Sequence, residues 1–184
     1  MATKTIKSGA HIEDLYTVAG KAELVDGKLM LMSPTGAMPN RAAFKIAMSL
    51  HEYERRTGAG RAYTDNAGFI VNLPNRESFS PDASFYTGKQ TDMKFLKGAP
   101  IFAAEVRSEN DYGPAAEKEM AAKRRDYFAA GTRVVWDVDL LGDDVVRVCR
   151  ADDPDHPTFY RRGQEADAEP ALPGWSMPVD ELFD

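Results

Sequence analysis

Cysteine is nearly absent from this chain: Cys149 stands alone among 184 residues. No internal disulfide and no paired-cysteine zinc site can form, so stability must come from packing, which suits a reducing cytoplasm. Histidine is equally scarce. His11, His51 and His156 fall on a tail, a helix pattern and a loop, which argues against a histidine metal centre or a Ser-His-Asp triad. Long apolar runs are missing too. Lys4 and Lys7 have no apolar stretch behind them and later runs are only a few residues long, so neither secretion nor membrane spanning is expected. Neither G-x-G-x-x-G nor a Walker loop occurs, which leaves no nucleotide-binding signature. Positive charge is in deficit, with 23 Lys and Arg against 29 Asp and Glu and a net charge of −6. Such a chain does not coat nucleic acid through bulk electrostatics, although local contact stays open. The basic stretch Lys118, Lys123, Arg124, Arg125 and Arg133 is the place for it, and it reads equally well as a solvated helix face paired with Glu117, Glu119 and Asp126.

What is present fits one domain over residues 1–184: 43% hydrophobic content fills one substantial core and falls short of two. Ile12, Leu15 and Val18 recur at helical spacing, so residues 1–20 are expected to be a short N-terminal helical extension. Asp26-Gly27 between two apolar runs predicts a hairpin over 22–32. Ala43, Ile46, Ala47, Leu50 and Tyr53 mark an amphipathic helix from Pro39 to about Arg56. Strand-like runs at 61–63, 67–72 and 82–86 suggest a meander interrupted by a polar loop, Leu73 to Ser80. The apolar run Pro100 to Val106, a helix opening at Pro114 and stopping at Gly131, and a strand at 134–138 make a βαβ unit. A strand at 145–148, an edge strand near Thr158 to Arg161 and a short terminal helix at 179–183 complete the expected elements. Tyr127 and Trp136 fall on buried faces of their helix and strand.

The carboxylates at strand ends carry the chemical information. Asp82 opens a strand directly after Pro81, which alone is also an ordinary turn position. Glu105 sits near the end of the most apolar strand, where an ionised side chain is costly unless it is paired or metal-bound. Two acids on neighbouring strands repel, and Mg²⁺ or Mn²⁺, which takes hard oxygen ligands, relieves the repulsion. A lysine nearby would then orient water and offset phosphate charge. The competing reading is structural: Glu105 bridged to Arg107 or to a lysine of the next helix, and Lys123 in an exposed pair with Glu119.

Several motifs in order resemble the Uma-two family, a bacterial family of restriction-endonuclease-like proteins within the PD-(D/E)XK nuclease superfamily. They are Glu23-Leu24-Val25-Asp26-Gly27-Lys28-Leu29, Met32-Ser33-Pro34, Ser80-Pro81-Asp82, Ala104-Glu105-Val106-Arg107-Ser108, Lys123-x-x-x-Tyr127-x-x-x-Gly131, Val135-Trp136-Asp137-Val138-Asp139 and Leu172-Pro173-Gly174-Trp175. The resemblance runs from about Ala22 to Phe183. It implies an α/β, restriction-endonuclease-like fold, a mixed central sheet flanked by helices. It also implies Asp82 and Glu105 as metal-binding acids, Lys123 as the site lysine on the following helix, and Glu23 and Arg107 as possible additional site residues. Two positions depart from the pattern. Arg107 stands where the superfamily motif has lysine, and an arginine holds phosphate but does not act as a base. Asn40 stands where many members carry histidine.

Together these readings lead to an expected cytoplasmic, Mg²⁺- or Mn²⁺-dependent endonuclease acting on DNA, with Asp82, Glu105 and Lys123 catalytic. A homodimer is expected because two-fold symmetry is the simplest way to cut both strands of a duplex. The alternative from another class is a catalytically inactive nuclease fold kept as a binding or assembly module, since a fold does not license an activity.

Overall fold

The computed structural model describes residues 3–89 and 92–184; Met1, Ala2, Gln90 and Thr91, which fall within the expected tail and the Lys- and Gly-rich loop, lie outside the described residues. In chain order the elements are β1 (Thr3–Ser8), α1 (Ile12–Leu15), β2 (Ala22–Val25), β3 (Lys28–Met32), α2 (Ala37–Thr57), β4 (Arg61–Thr64), β5 (Phe69–Ile70), β6 (Ser78–Phe79), β7 (Ala83–Tyr86), β8 (Leu96–Lys97), β9 (Phe102–Val106), α3 (Pro114–Ala129), β10 (Val134–Val138), β11 (Val146–Arg150), β12 (Asp153–Tyr160), β13 (Glu165–Asp167) and β14 (Ser176–Pro178), with a terminal 3₁₀ helix at Val179–Phe183.

The central sheet has six strands in the order β12-β11-β10-β9-β7-β4. Only the β9–β10 pair is parallel, because α3 crosses between them; β4–β7, β7–β9, β10–β11 and β11–β12 are antiparallel. This is the mixed sheet flanked by helices that the motifs imply. The α3 boundaries follow local chemistry: Pro114 occupies the first turn, where its missing N–H costs nothing, and Gly131 follows the end with φ +106°.

One sheet face packs on α2. Ala43, Ile46, Ala47, Leu50 and Tyr53 of that helix meet Phe85, Phe102, Ala104, Trp136 and Val138 from alternate strand positions, and Leu172, Trp175 and Leu182 close the cluster. The opposite face packs on α3 through Ala103, Val135 and Tyr127, joined by Phe69 and Phe79. A second, three-stranded sheet, β1-β3-β2, stands beside α3. Its β2–β3 turn is made by Asp26 (φ 50°) and Gly27 (φ 64°), the positive-φ pair that a tight hairpin demands.

The differences from expectation are local. Residues 3–20 are not simply a helical extension: Thr3–Ser8 pairs along β3 as a strand, and the helix is one turn, Ile12–Leu15. The run at 67–72 yields only Phe69–Ile70, which leaves the central sheet and pairs with β6 and β8 instead of continuing a meander. The segment read as a loop at 73–80 contains β6, and the edge strand β12 is longer than expected. Among the described residues no helix is long and apolar enough to cross a membrane.

Candidate active site

Strand alternation sets the site. Ala83 faces Ala104 across β7 and β9, and both belong to the α2-side core, so their neighbours Asp82 and Glu105 turn to the α3 side. Asp82 stands just ahead of β7 and its N–H donates to Ala104 O (3.1 Å). Parallel register then brings Asp137 beside Glu105, and Arg147 lies beside Asp137. A row of charged positions therefore crosses the sheet under α3.

Glu105 accepts a hydrogen bond from the Tyr127 hydroxyl (2.6 Å) and pairs with Lys123 Nζ (2.9 Å), both on Oε1. Lys123 also reaches Glu23 Oε1 (2.9 Å). The exposed Lys123–Glu119 pair is thus not the arrangement found. Glu23, contributed by β2, is held as well by Arg76 Nη1 (2.5 Å) and the Ser80 N–H (2.9 Å). Arg76 lies over the Phe79 ring, 4.9 Å from its centre, and Phe79 stacks on Tyr127 at 4.0 Å, so the aromatic column carries the Tyr127 hydroxyl to Glu105. The structure brings Glu23, Glu105 and Lys123 together on one cleft of about 610 Å³, whose walls include Met30, Met120 and Tyr112.

Asp82 sits behind this group. It is 3% exposed; its Oδ2 accepts the Val106 N–H (2.9 Å) and its Oδ1 meets Lys21 Nζ (2.6 Å). Arg107 lines the same cleft, but its guanidinium is engaged with other carboxylates. It grips Asp137 with two parallel hydrogen bonds, Nε to Oδ1 (2.8 Å) and Nη2 to Oδ2 (2.9 Å), and also pairs with Glu117. Arg124 adds a bond to Asp137 (3.1 Å). Its donors being committed, Arg107 braces β9 against β10 and α3 and is not a free phosphate-holding group. Asn40 is exposed on the first turn of α2 and does not line the cleft.

The titration of the group follows its charges. Burial pushes the Glu105 carboxyl up, Lys123 works against that, and the Asp82 and Glu23 charges push further up. Burial would also raise Glu23, but Lys123 and Arg76 overcome it and hold that carboxyl at about 2. For Lys123, burial disfavours the ammonium, yet the Glu105 and Glu23 carboxylates outweigh it and raise the pKa. Burial, then Glu105 and Glu23, push the Tyr127 hydroxyl well up, so it remains a donor. Lys123 is therefore a charged donor in a fixed position, and Glu105 is the carboxyl of this group whose ionised form burial and its acidic neighbours disfavour.

Among the described residues, no three acidic, histidine or cysteine side chains group closely enough to hold a metal ion. The carboxylates of Asp82 and Glu105 are nevertheless the kind of oxygen donor that Mg²⁺ takes, since it is commonly bound through one or two carboxylates plus waters and phosphate oxygens. Two observations favour the fit: the Glu105 carboxyl pushed up by burial and by the Asp82 and Glu23 charges, which a divalent cation would oppose, and the buried hydroxyls of Ser80 and Ser84, which lack hydrogen-bond partners and lie two residues either side of Asp82 in the chain.

Sequence reasoning missed Lys21 and Arg76. Neither lies in a recognisable motif, and each meets its partner far along the chain, 61 residues apart for Lys21 and Asp82 and 53 for Arg76 and Glu23.

Comparison with known proteins agrees with this architecture. A crystal structure of a "putative nuclease" from Anabaena variabilis superposes with a TM-score of 0.73 at 13% identity, covering 93% of this chain and 96% of that one, a likeness of fold. No curated protein matches the chain. The family model described as "Putative restriction endonuclease" matches residues 12–180, and the chain belongs to that family, Uma2 (Uma-two).

Proposed function

We propose that this protein is a metal-dependent endonuclease that hydrolyses phosphodiester bonds of DNA in the cytoplasm. The observation that supports the reading is Asp82, just ahead of β7 and bonded to Ala104 O of β9, turned to the same side of the sheet as Glu105 of β9, with Lys123 Nζ 2.9 Å from Glu105. Asp82 and Glu105 would hold Mg²⁺ or Mn²⁺. When bound, such an ion lowers the pKa of its water and stabilises charge developing on a phosphoryl group. The chain's own groups do the rest. Lys123, kept charged by two carboxylates, donates from Nζ to the attacking water or to a non-bridging phosphate oxygen. Tyr127 holds Glu105 Oε1 in place, and Glu23 with Arg76 fixes the height of Lys123 above the sheet. Family membership supports DNA as the substrate. A homodimer would let two such sites address both strands, and light scattering at micromolar concentration tests it: a monomer removes that part of the reading.

One observation favours the inactive binding module: both Asp82 oxygens already have protein donors. Purified protein incubated with supercoiled, linear and single-stranded DNA in Mg²⁺, Mn²⁺ or chelator decides between the two. Metal-dependent cleavage that disappears in Glu105→Ala supports the enzyme. A tight DNA complex with no cleavage under any condition overturns it, and cleavage surviving in Glu105→Ala means the site is elsewhere.

A further inference from the structure

The feature left unused is Lys21. It lies between α1 and β2, its side chain is only 9% exposed, and its ammonium bridges two carboxylates at equal distance, Asp82 Oδ1 and Asp65 Oδ1, both at 2.6 Å. The two partners differ in setting. Asp82 is buried, whereas the Asp65 side chain is 33% exposed at the turn after β4. The backbone is pinned, since Lys21 O accepts the Met32 N–H (2.9 Å), so only the side chain is free to shift. With Val106 N–H on the other oxygen of Asp82, the ammonium and a β9 amide between them hold both oxygens of that carboxylate, and of the two donors only the ammonium sits on a side chain able to move away.

We propose that Lys21 is a tethered counter-ion of the metal site: a divalent cation gains Asp82 only by displacing the Lys21 ammonium, which then rests on Asp65 alone. This rests on the assignment of Asp82 as a metal ligand. The physical basis is competition between a monovalent and a divalent charge for one buried oxygen. Leaving Asp82 without any cation is costly, because a buried carboxylate needs a partner, so the site is never empty of positive charge. The consequence is a metal-free protein that is stable, an affinity for metal set below what two carboxylates alone would give, and a lysine whose second seat is already built. Asp65 is accordingly a positioning residue, acting on the metal only through Lys21.

The test uses the full chain and Mn²⁺ alone, followed by calorimetry and by the loss of free-ion electron paramagnetic resonance signal. Lys21→Met, with a similar shape and no charge, should bind Mn²⁺ on the order of tenfold tighter than wild type or more, the range in which close buried charge pairs couple, while unfolding at lower temperature without metal. Lys21→Gln is the second variant should the first not fold. A side-chain ¹⁵N signal of Lys21, identified by its absence in either variant, should move when Mg²⁺ is added to wild type. Wild type that binds Mn²⁺ through Asp82, lost in Asp82→Asn, with no tightening in Lys21→Met or Lys21→Gln and a stationary Lys21 signal overturns the counter-ion role and leaves the nuclease reading intact. No Mn²⁺ binding by wild type or by either Lys21 variant overturns the metal site itself, and this role with it.

Discussion

The two faces of the central sheet are built from the same strands, yet they carry opposite chemistry. Towards α2, Phe102, Ala104, Trp136 and Val138 meet an apolar helix, and the rings of Phe102, Trp136 and Trp175 sit 5.0 to 5.4 Å apart. Towards α3, the intervening positions Glu105 and Asp137, with Asp82 at the edge of β7, face a helix bearing Lys123, Arg124 and Tyr127. Alternation along a strand lets one backbone serve both. The α2 face holds the layer together mainly by apolar packing, its few polar groups such as Trp136 Nε1 being satisfied at the margin by Asp167 O, while the opposite face gathers the charged groups. Stability and chemistry are thus divided across a single layer of backbone.

Several changes would break or sharpen that division. The largest effect falls on the charged face: Glu105→Ala should abolish detectable DNA cleavage and Mn²⁺ binding together while circular dichroism stays native, as read by gel assay and calorimetry. On the opposite face Trp136→Ala should leave the site chemistry untouched at low temperature but cost roughly 3–5 kcal/mol of stability in urea unfolding, with the lost Nε1 donation to Asp167 O (2.8 Å) adding to the cavity. Next comes Lys123→Ala, which should keep the metal bound and slow single-turnover cleavage by about 10²-fold or more.

Acid titration distinguishes the carboxylates within the charged face. Glu23 has a folded pKa of about 2 against an ordinary 4.5, so its contribution is complete above 4.5 and is lost as pH falls from 4.5 towards 2. Glu105, pushed up, has the opposite sign: protonation favours the fold as pH falls through its raised value towards 4.5. Urea midpoints measured from pH 6 to pH 3 should therefore fall less steeply in Glu23→Gln than in wild type. The smallest expected effect is on melting temperature. Glu105→Gln removes a carboxylate that Asp82 and Glu23 oppose, and the metal-free protein should melt about 2–4 °C higher although it cuts nothing; a lower melting temperature would show that the Lys123 pair outweighs that repulsion.

Much of this division was legible in the sequence. The alternation of Ala104 with Glu105 and of Trp136 with Asp137 marks both faces, Asp26-Gly27 marks the hairpin that delivers Glu23, and Pro114 to Gly131 marks the helix that delivers Lys123. Short-range chemistry determines each of these. Hidden were the partners that arrive from far away: Lys21 beneath Asp82, Arg76 beneath Glu23, and the two-residue strand Ser78–Phe79, whose backbone partner is Phe69–Ile70. Neither spacing nor propensity encodes a contact that only tertiary packing creates. Arg107 was legible as a departure from the expected lysine, but its grip on Asp137 became visible only once β9 and β10 were in parallel register.

That parallel register also has a kinetic meaning. Antiparallel neighbours such as β2 and β3 can close like a zip, one residue after another, whereas β9 and β10 must wait for α3 to form and cross before any rung joins them. Glu105, Lys123 and Asp137 lie one on each part of this unit. Assembly of the charged cluster is therefore coupled to the slowest kind of strand pairing in the molecule: until that closure, the growing or refolding chain holds these acids and bases as separate, hydrated groups, and the cluster comes into being late and all at once.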